Sequence, residues 1–230
     1  KKEEYSYNLE IDSLHTNGPL VTHAMPSKGD VKCLVIPINF ISKNKSYSIS
    51  DNINNAFNGS SDDIKYESVS SYYLKSSNHL LNLSFKILDW YTPNYDFSYY
   101  ESYSKKQETG VDILLAEALS YYNDKVDYSS YDSDNDGYID SVWLIYNSPV
   151  DYQSNDSFYW AFTTQTESTT TFDSKKASYY AFAGTDFITP NQDDASYDVS
   201  DLTYDAHTYI HETGHLLGLD DYYDYDSEYA

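Results

Sequence analysis

The stretch from Ala206 to Asp221, AHTYIHETGHLLGLDD, constrains this chain more than any other. It contains His211-Glu212-Thr213-Gly214-His215. Two imidazoles separated by three residues come to the same side of an α-helix, one turn apart, where a single zinc ion can take both. The stretch is therefore expected to be helical. Its apolar pattern agrees, because Leu202, Ala206, Tyr209, Ile210, Thr213, Leu216 and Leu217 fall on one helical face. His207, His211 and His215 fall on the other. Ser200 or Asp201 offers an N-cap, and Gly218 sits where a helix would end in a left-handed turn.

The chemistry follows from the spacing. Glu212 is next to the first ligand and leans toward the metal, so it can polarise a water there and take its proton. The competing reading is a surface helix that happens to carry histidines. His207 cannot join the other two around one ion: it lies eight residues from His215, about 12 Å along the axis. It is read either as a cleft or supporting residue or as an ordinary satisfied polar side chain. A third ligand must come from beyond Gly218, where Asp220, Asp221 and Asp224 are all in reach of a chain reversal. Local geometry does not choose among them.

The whole pattern, His-Glu-x-x-His-x-x-Gly-x-x-Asp followed by Tyr222-Tyr223-Asp224, resembles the metzincin zinc signature with Asp in place of the third His. More closely, it is similar to the immune inhibitor A-type secreted bacterial metallopeptidases. That resemblance implies zinc ligands at His211, His215 and Asp221 and a general base at Glu212. It implies a metzincin-like zinc endopeptidase acting on protein or peptide substrates outside the cell. Metzincin-like enzymes also place a Met-containing turn downstream of the third ligand. The only Met here is Met25, so either the C-terminal lobe is missing from this span or the lobe is dispensable here; the expectation is that this span alone is weakly active or inactive.

Charge narrows the partners. The net charge is −23, there is no arginine, and the 14 lysines are scattered. This argues strongly against nucleic acid or an anionic membrane surface as a partner. No stretch is long enough to span a membrane, and no signal-type apolar segment follows Lys1-Lys2. The single Cys33 rules out an intramolecular disulfide framework and is read as a buried strand residue. The 28 tyrosines are read as amphipathic filler or as a recognition surface.

Residues 1–30 read as a polar arm or linker, and 31–230 as one catalytic domain incomplete at its C-terminal end. Val31 to Phe40 reads as a buried strand made irregular by Pro37. Residues 51–58, capped by Ser50 or Asp51, and about 62–76 read as helices. Leu81 to Ile87 alternates as a half-buried strand. Residues 94–109 read as a Tyr-rich loop, and Val111 to Tyr122 as an amphipathic helix. Ser141 to Tyr146, Phe158 to Thr164 and Tyr179 to Ala183 read as strands, the last two separated by a Ser/Thr-rich segment at 165–178. One of these two strands is expected to form the sheet edge on which an extended peptide lies. Asn191 to Asp198 reads as an acidic loop. Together these predict an α/β (α+β) fold with a twisted mixed sheet, helices on its faces and the zinc helix below a cleft.

A second cluster precedes the strand at 141–146. Asp132-Ser133-Asp134-Asn135-Asp136-Gly137-Tyr138-Ile139-Asp140 carries most of a calcium loop. The expected ligands are Asp132, Asp134, Asp136, the Tyr138 carbonyl and Asp140, with Gly137 at the turn. Trp143 stands at the twelfth position and cannot ligate, so this is no EF-hand. The alternative is a solvated acidic turn. For the chain as a whole, the alternative to a peptidase is a metal-stabilised adhesin or binding module of a bacterial surface. The intact Glu212 argues against that, since a structural zinc site needs no base.

Overall fold

The computed structural model describes residues 22–43, 49–60, 67–103, 108–147, 160–188 and 205–221. Most of the N-terminal arm, the 191–198 loop, Ser200, Asp201, Leu202 and Tyr222 to Asp224 lie outside them.

The centre is a mixed sheet ordered β2-β1-β3-β7-β4. Its strands are β1 (Gly29–Ile38), β2 (Leu81–Ile87), β3 (Val142–Tyr146), β4 (Phe162–Gln165) and β7 (Tyr179–Gly184). The first four in spatial order run parallel, and β4 closes the edge antiparallel to β7. A parallel sheet must be covered on both faces, and its strands read as continuous apolar runs. β3, VWLIY, is buried at every position.

The two faces divide by strand alternation. Leu34, Ile36, Val142, Leu144, Tyr180 and Phe182 point to one side, against α4 (Glu108–Tyr122) and Tyr100 of α3 (Phe97–Ser102). Cys33, Val35, Trp143, Ile145, Ala181 and Ala183 point to the other. There they meet α1 (Ile49–Asn58), α2 (Val69–Ser76) and α5 (His207–Leu216). The expected mixed sheet with helices on its faces is present, and Cys33 is buried as read.

Several local expectations change. α1 starts at Ile49, so Ser50 and Asp51 lie within it rather than capping it, and of the helix read over about 62–76 the described residues form α2 from Val69 on. Pro37 does not disturb β1. It pairs in register with Ile145, and its carbonyl accepts the Tyr91 amide at 2.8 Å. Residues 97–102 form a helix where a loop was expected. Asp96 Oδ1 accepts the Phe97 amide at 2.9 Å, and fully buried Tyr100 donates its hydroxyl to Glu117 on α4 at 2.6 Å. α4 starts at Glu108, because Gly110 lets the two helices touch: a Cβ there would lie 1.9 Å from the Tyr100 carbonyl oxygen. The Ser/Thr-rich segment hides a hairpin, β5 (Thr171–Phe172) with β6 (Lys175–Lys176). Asp173 and Ser174 both take positive φ, 50° and 64°, as a two-residue I′ turn requires.

A further change concerns α5 itself. It begins at His207, later than the 200–201 cap implied. Asp205 Oδ1 accepts the His207 amide at 2.9 Å, just ahead of the first helical turn.

Candidate metal centre

α5 is locked from three sides. Tyr209 is fully buried and donates its hydroxyl to the Gly184 carbonyl at the end of β7, 2.6 Å away. Tyr73 of α2 donates to the Ile210 carbonyl at 2.7 Å. The Met25 amide donates to the Leu216 carbonyl at 2.9 Å. Gly214 makes the second of these approaches possible, since a Cβ there would meet the Tyr73 hydroxyl at 3.2 Å. Ala206, Tyr209, Thr213 and Leu216 face the core, as the periodicity predicts.

The opposite face carries the imidazoles. Gly218 has φ +84°, so the chain turns back after α5 as expected. The reversal brings Asp221 onto both histidines. Asp221 Oδ1 lies 3.2 Å from His211 Nε2 and 3.3 Å from His215 Nε2, and the two Nε2 atoms are 3.1 Å apart. Three donors on one zinc at about 2.0–2.1 Å, arranged tetrahedrally, sit about 3.3 Å from each other. These three residues therefore fit the metal the motif implies. Asp220, by contrast, is exposed, and the group of possible ligands is His211, His215 and Asp221.

Second contacts set the donors. His215 Nδ1 is 2.7 Å from the Leu219 carbonyl. A carbonyl only accepts, so Nδ1 carries the hydrogen and Nε2 of the neutral ring presents its lone pair to the cluster. Glu212 is buried, 6 % exposed, beside this group. Thr163 Oγ1 on β4 is 2.9 Å from Glu212 Oε2 and 3.0 Å from the Glu212 carbonyl. Burial pushes the Glu212 carboxyl up to about 7. The Thr163 hydroxyl and His215 pull it down, and Asp221 pushes it further up. His207 stands one turn before His211 and pairs through Nδ1 with Asp205 at 2.7 Å. It is outside the ligand group, as the axial distance required.

The Asp-rich loop is organised differently. Asp132, Asp134 and Asp136 come together as a second possible ligand group, but Asp140 is not among them. Asp140 Oδ2 instead accepts the Ser133 amide at 2.9 Å, and burial pushes its carboxyl up to about 6. Asp132 accepts the amides of Asp136 and Gly137 at 3.0 and 3.1 Å, and Lys175 Nζ approaches its Oδ2 to 2.5 Å. Lys175 and two amide hydrogens hold the Asp132 carboxyl below its usual range against the opposing effect of burial. Asp136 Oδ2 meets His23 Nδ1 at 2.7 Å, and the His23 ring stacks on Tyr138 at 3.7 Å.

Sequence reading missed Thr163, Asp205, Lys175 and His23. Each reaches its partner through tertiary contact or a local cap that leaves no periodic trace.

No family model matches this chain, and no curated protein matches it. The metallopeptidase resemblance therefore stands on the residues named above.

Proposed function

We propose that this chain is a zinc-dependent endopeptidase of the metzincin-like, immune inhibitor A type, acting outside the cell on protein or peptide substrates. The observation that carries the reading is the spacing of His211, His215 and Asp221 beside a buried Glu212. A zinc ion bound there would polarise the scissile carbonyl and make water acidic enough to lose a proton near neutral pH. Glu212 takes that proton and passes it to the leaving amine. Its buried position supports this role, since a carboxyl in a dry site holds a proton more readily than one in water. Among the described strands, β4 and β2 are the sheet edges, and β4 is the one beside α5. An extended peptide added along β4 would bring its backbone past the base.

Among the described residues no helix is long and apolar enough to cross a membrane. Calcium is the proposed occupant of Asp132, Asp134 and Asp136, with oxygen donors and a Gly137 turn that suit it.

A caseinolytic assay with and without a chelator tests the reading. Weak turnover that a chelator abolishes and zinc restores is expected. Zinc bound at one per chain with neither turnover nor affinity for a zinc-chelating hydroxamate would favour a metal-stabilised binding module instead.

A further inference from the structure

We propose that Thr163 is a positioning residue for Glu212, holding one carboxylate oxygen so that the other faces the ligand cluster. The inference rests on the peptidase reading above and adds a residue that no motif contains.

Strand alternation decides which side Thr163 serves. Phe162 packs into the core on the α4 side. Ala161 packs into the core on the α5 side. Thr163, two residues after Ala161, turns to the α5 side as well. Its hydroxyl has one hydrogen and two acceptors, Glu212 Oε2 at 2.9 Å and the Glu212 carbonyl at 3.0 Å. The same atom therefore touches Glu212 at both ends of its side chain and limits how that chain can rotate. With Oε2 held, Oε1 is left for the water.

The frame behind this contact is stiff. Thr163 pairs with Ala181 on β7, and β7 also holds α5 through Gly184 and Tyr209. The base and the group that orients it thus hang from the same strand. A β-branched side chain also has few χ1 choices. Valine has the same shape and would suit the strand equally, but it would leave a buried carboxylate oxygen without its donor.

The test uses the whole chain, loaded with zinc. Thr163→Val, Thr163→Ser and Thr163→Ala are compared for zinc content, melting temperature, peptide hydrolysis and affinity for acetohydroxamate. Hydroxamates chelate zinc and pass a proton to a neighbouring carboxylate, so their affinity reports whether Glu212 is in place without requiring turnover. Thr163→Val should keep one zinc per chain. Its kcat should fall about 10–100-fold with KM nearly unchanged, the range for a hydrogen bond to a charged group. Acetohydroxamate should bind about tenfold more weakly. Thr163→Ser should recover most of both losses.

Wild-type kcat and hydroxamate affinity in Thr163→Val would overturn the proposal. So would a serine variant as poor as the valine variant, which would assign the effect to the methyl group. If the valine variant does not fold, alanine against serine makes the same comparison. A wild-type protein that holds zinc but neither cleaves peptide nor binds acetohydroxamate sinks the peptidase reading itself. An active wild type with an indifferent Thr163→Val sinks only this inference.

Discussion

At the end of α5, donor atoms of His211, His215 and Asp221 face one another at 3.1–3.3 Å. In the loop before β3, the oxygens of Asp132, Asp134 and Asp136 turn toward backbone amides, the Lys175 ammonium and His23. Both clusters are candidate metal sites, yet the protein completes them differently. The first points lone pairs at a common centre, an arrangement that gains strongly from a cation. The second brings its own cation, Lys175, and spends many of its oxygens on the turn.

The largest effect should come from breaking the first cluster. His211→Ala combined with His215→Ala should abolish stoichiometric zinc, measured by elemental analysis. Glu212→Ala should retain the metal and lose on the order of 10²–10⁴-fold in peptidase rate. Zinc retained by the double variant would show that these imidazoles are not its ligands.

Asp221→Ala should come next, weakening zinc binding by at least 10-fold in competition with a chelator, since three protein ligands are the catalytic norm. Asp220→Ala should leave zinc affinity unchanged, because Asp220 is exposed. The reverse ranking would move the third ligand.

In the second cluster the expected response is stability. The Asp132 carboxylate is buried beside Lys175. Asp132→Ala removes the partner of the part-exposed Lys175 and the acceptor of two backbone amides, and should cost about 1–3 kcal/mol, seen as a lower denaturant midpoint. Calcium should raise the melting temperature of metal-stripped protein with the logarithm of its free concentration. Lys175→Ala should make that response steeper at low calcium, because Lys175 no longer competes for Asp132. An unchanged melting curve at all calcium levels would reduce the loop to an acidic turn.

The smallest effect belongs to Asp140. Its folded pKa is raised to about 6 by burial. The native state then holds a proton that the unfolded chain has already released. Stability from this group is full below about pH 4 and declines as pH rises through about 6. Asp140→Asn should flatten that part of the pH profile and gain about 1–2 kcal/mol at pH 7. An identical profile in both proteins would show that Asp140 ionises freely in the fold.

Much of the fold could be read from pattern. β1, β2 and β3 follow from continuous or alternating apolar runs, and α4 from its apolar stripe, because burial imposes those periods on any sequence. The histidine face of α5 was legible for the same reason: i, i+4 spacing fixes where two side chains stand on a helix. Other elements were hidden. α3 exists because Tyr100 is buried against α4, and the 171–176 hairpin because its turn accepts two left-handed residues without the usual Asn-Gly.

By itself the sequence determined that His211 and His215 share one helical face with Glu212 between them, and that Gly218 turns the chain back. Local backbone geometry is enough for that. It did not determine which aspartate joins them, nor that Thr163 holds Glu212 and Lys175 the acidic loop. Asp221 was singled out by where the reversed chain packs, Thr163 by the antiparallel edge strand lying against α5, and Lys175 by a hairpin folded onto a distant turn. Contacts across 43 and 49 residues of chain depend on how sheet and helices stack. That stacking is settled by burial of the whole core, and no local spacing carries it.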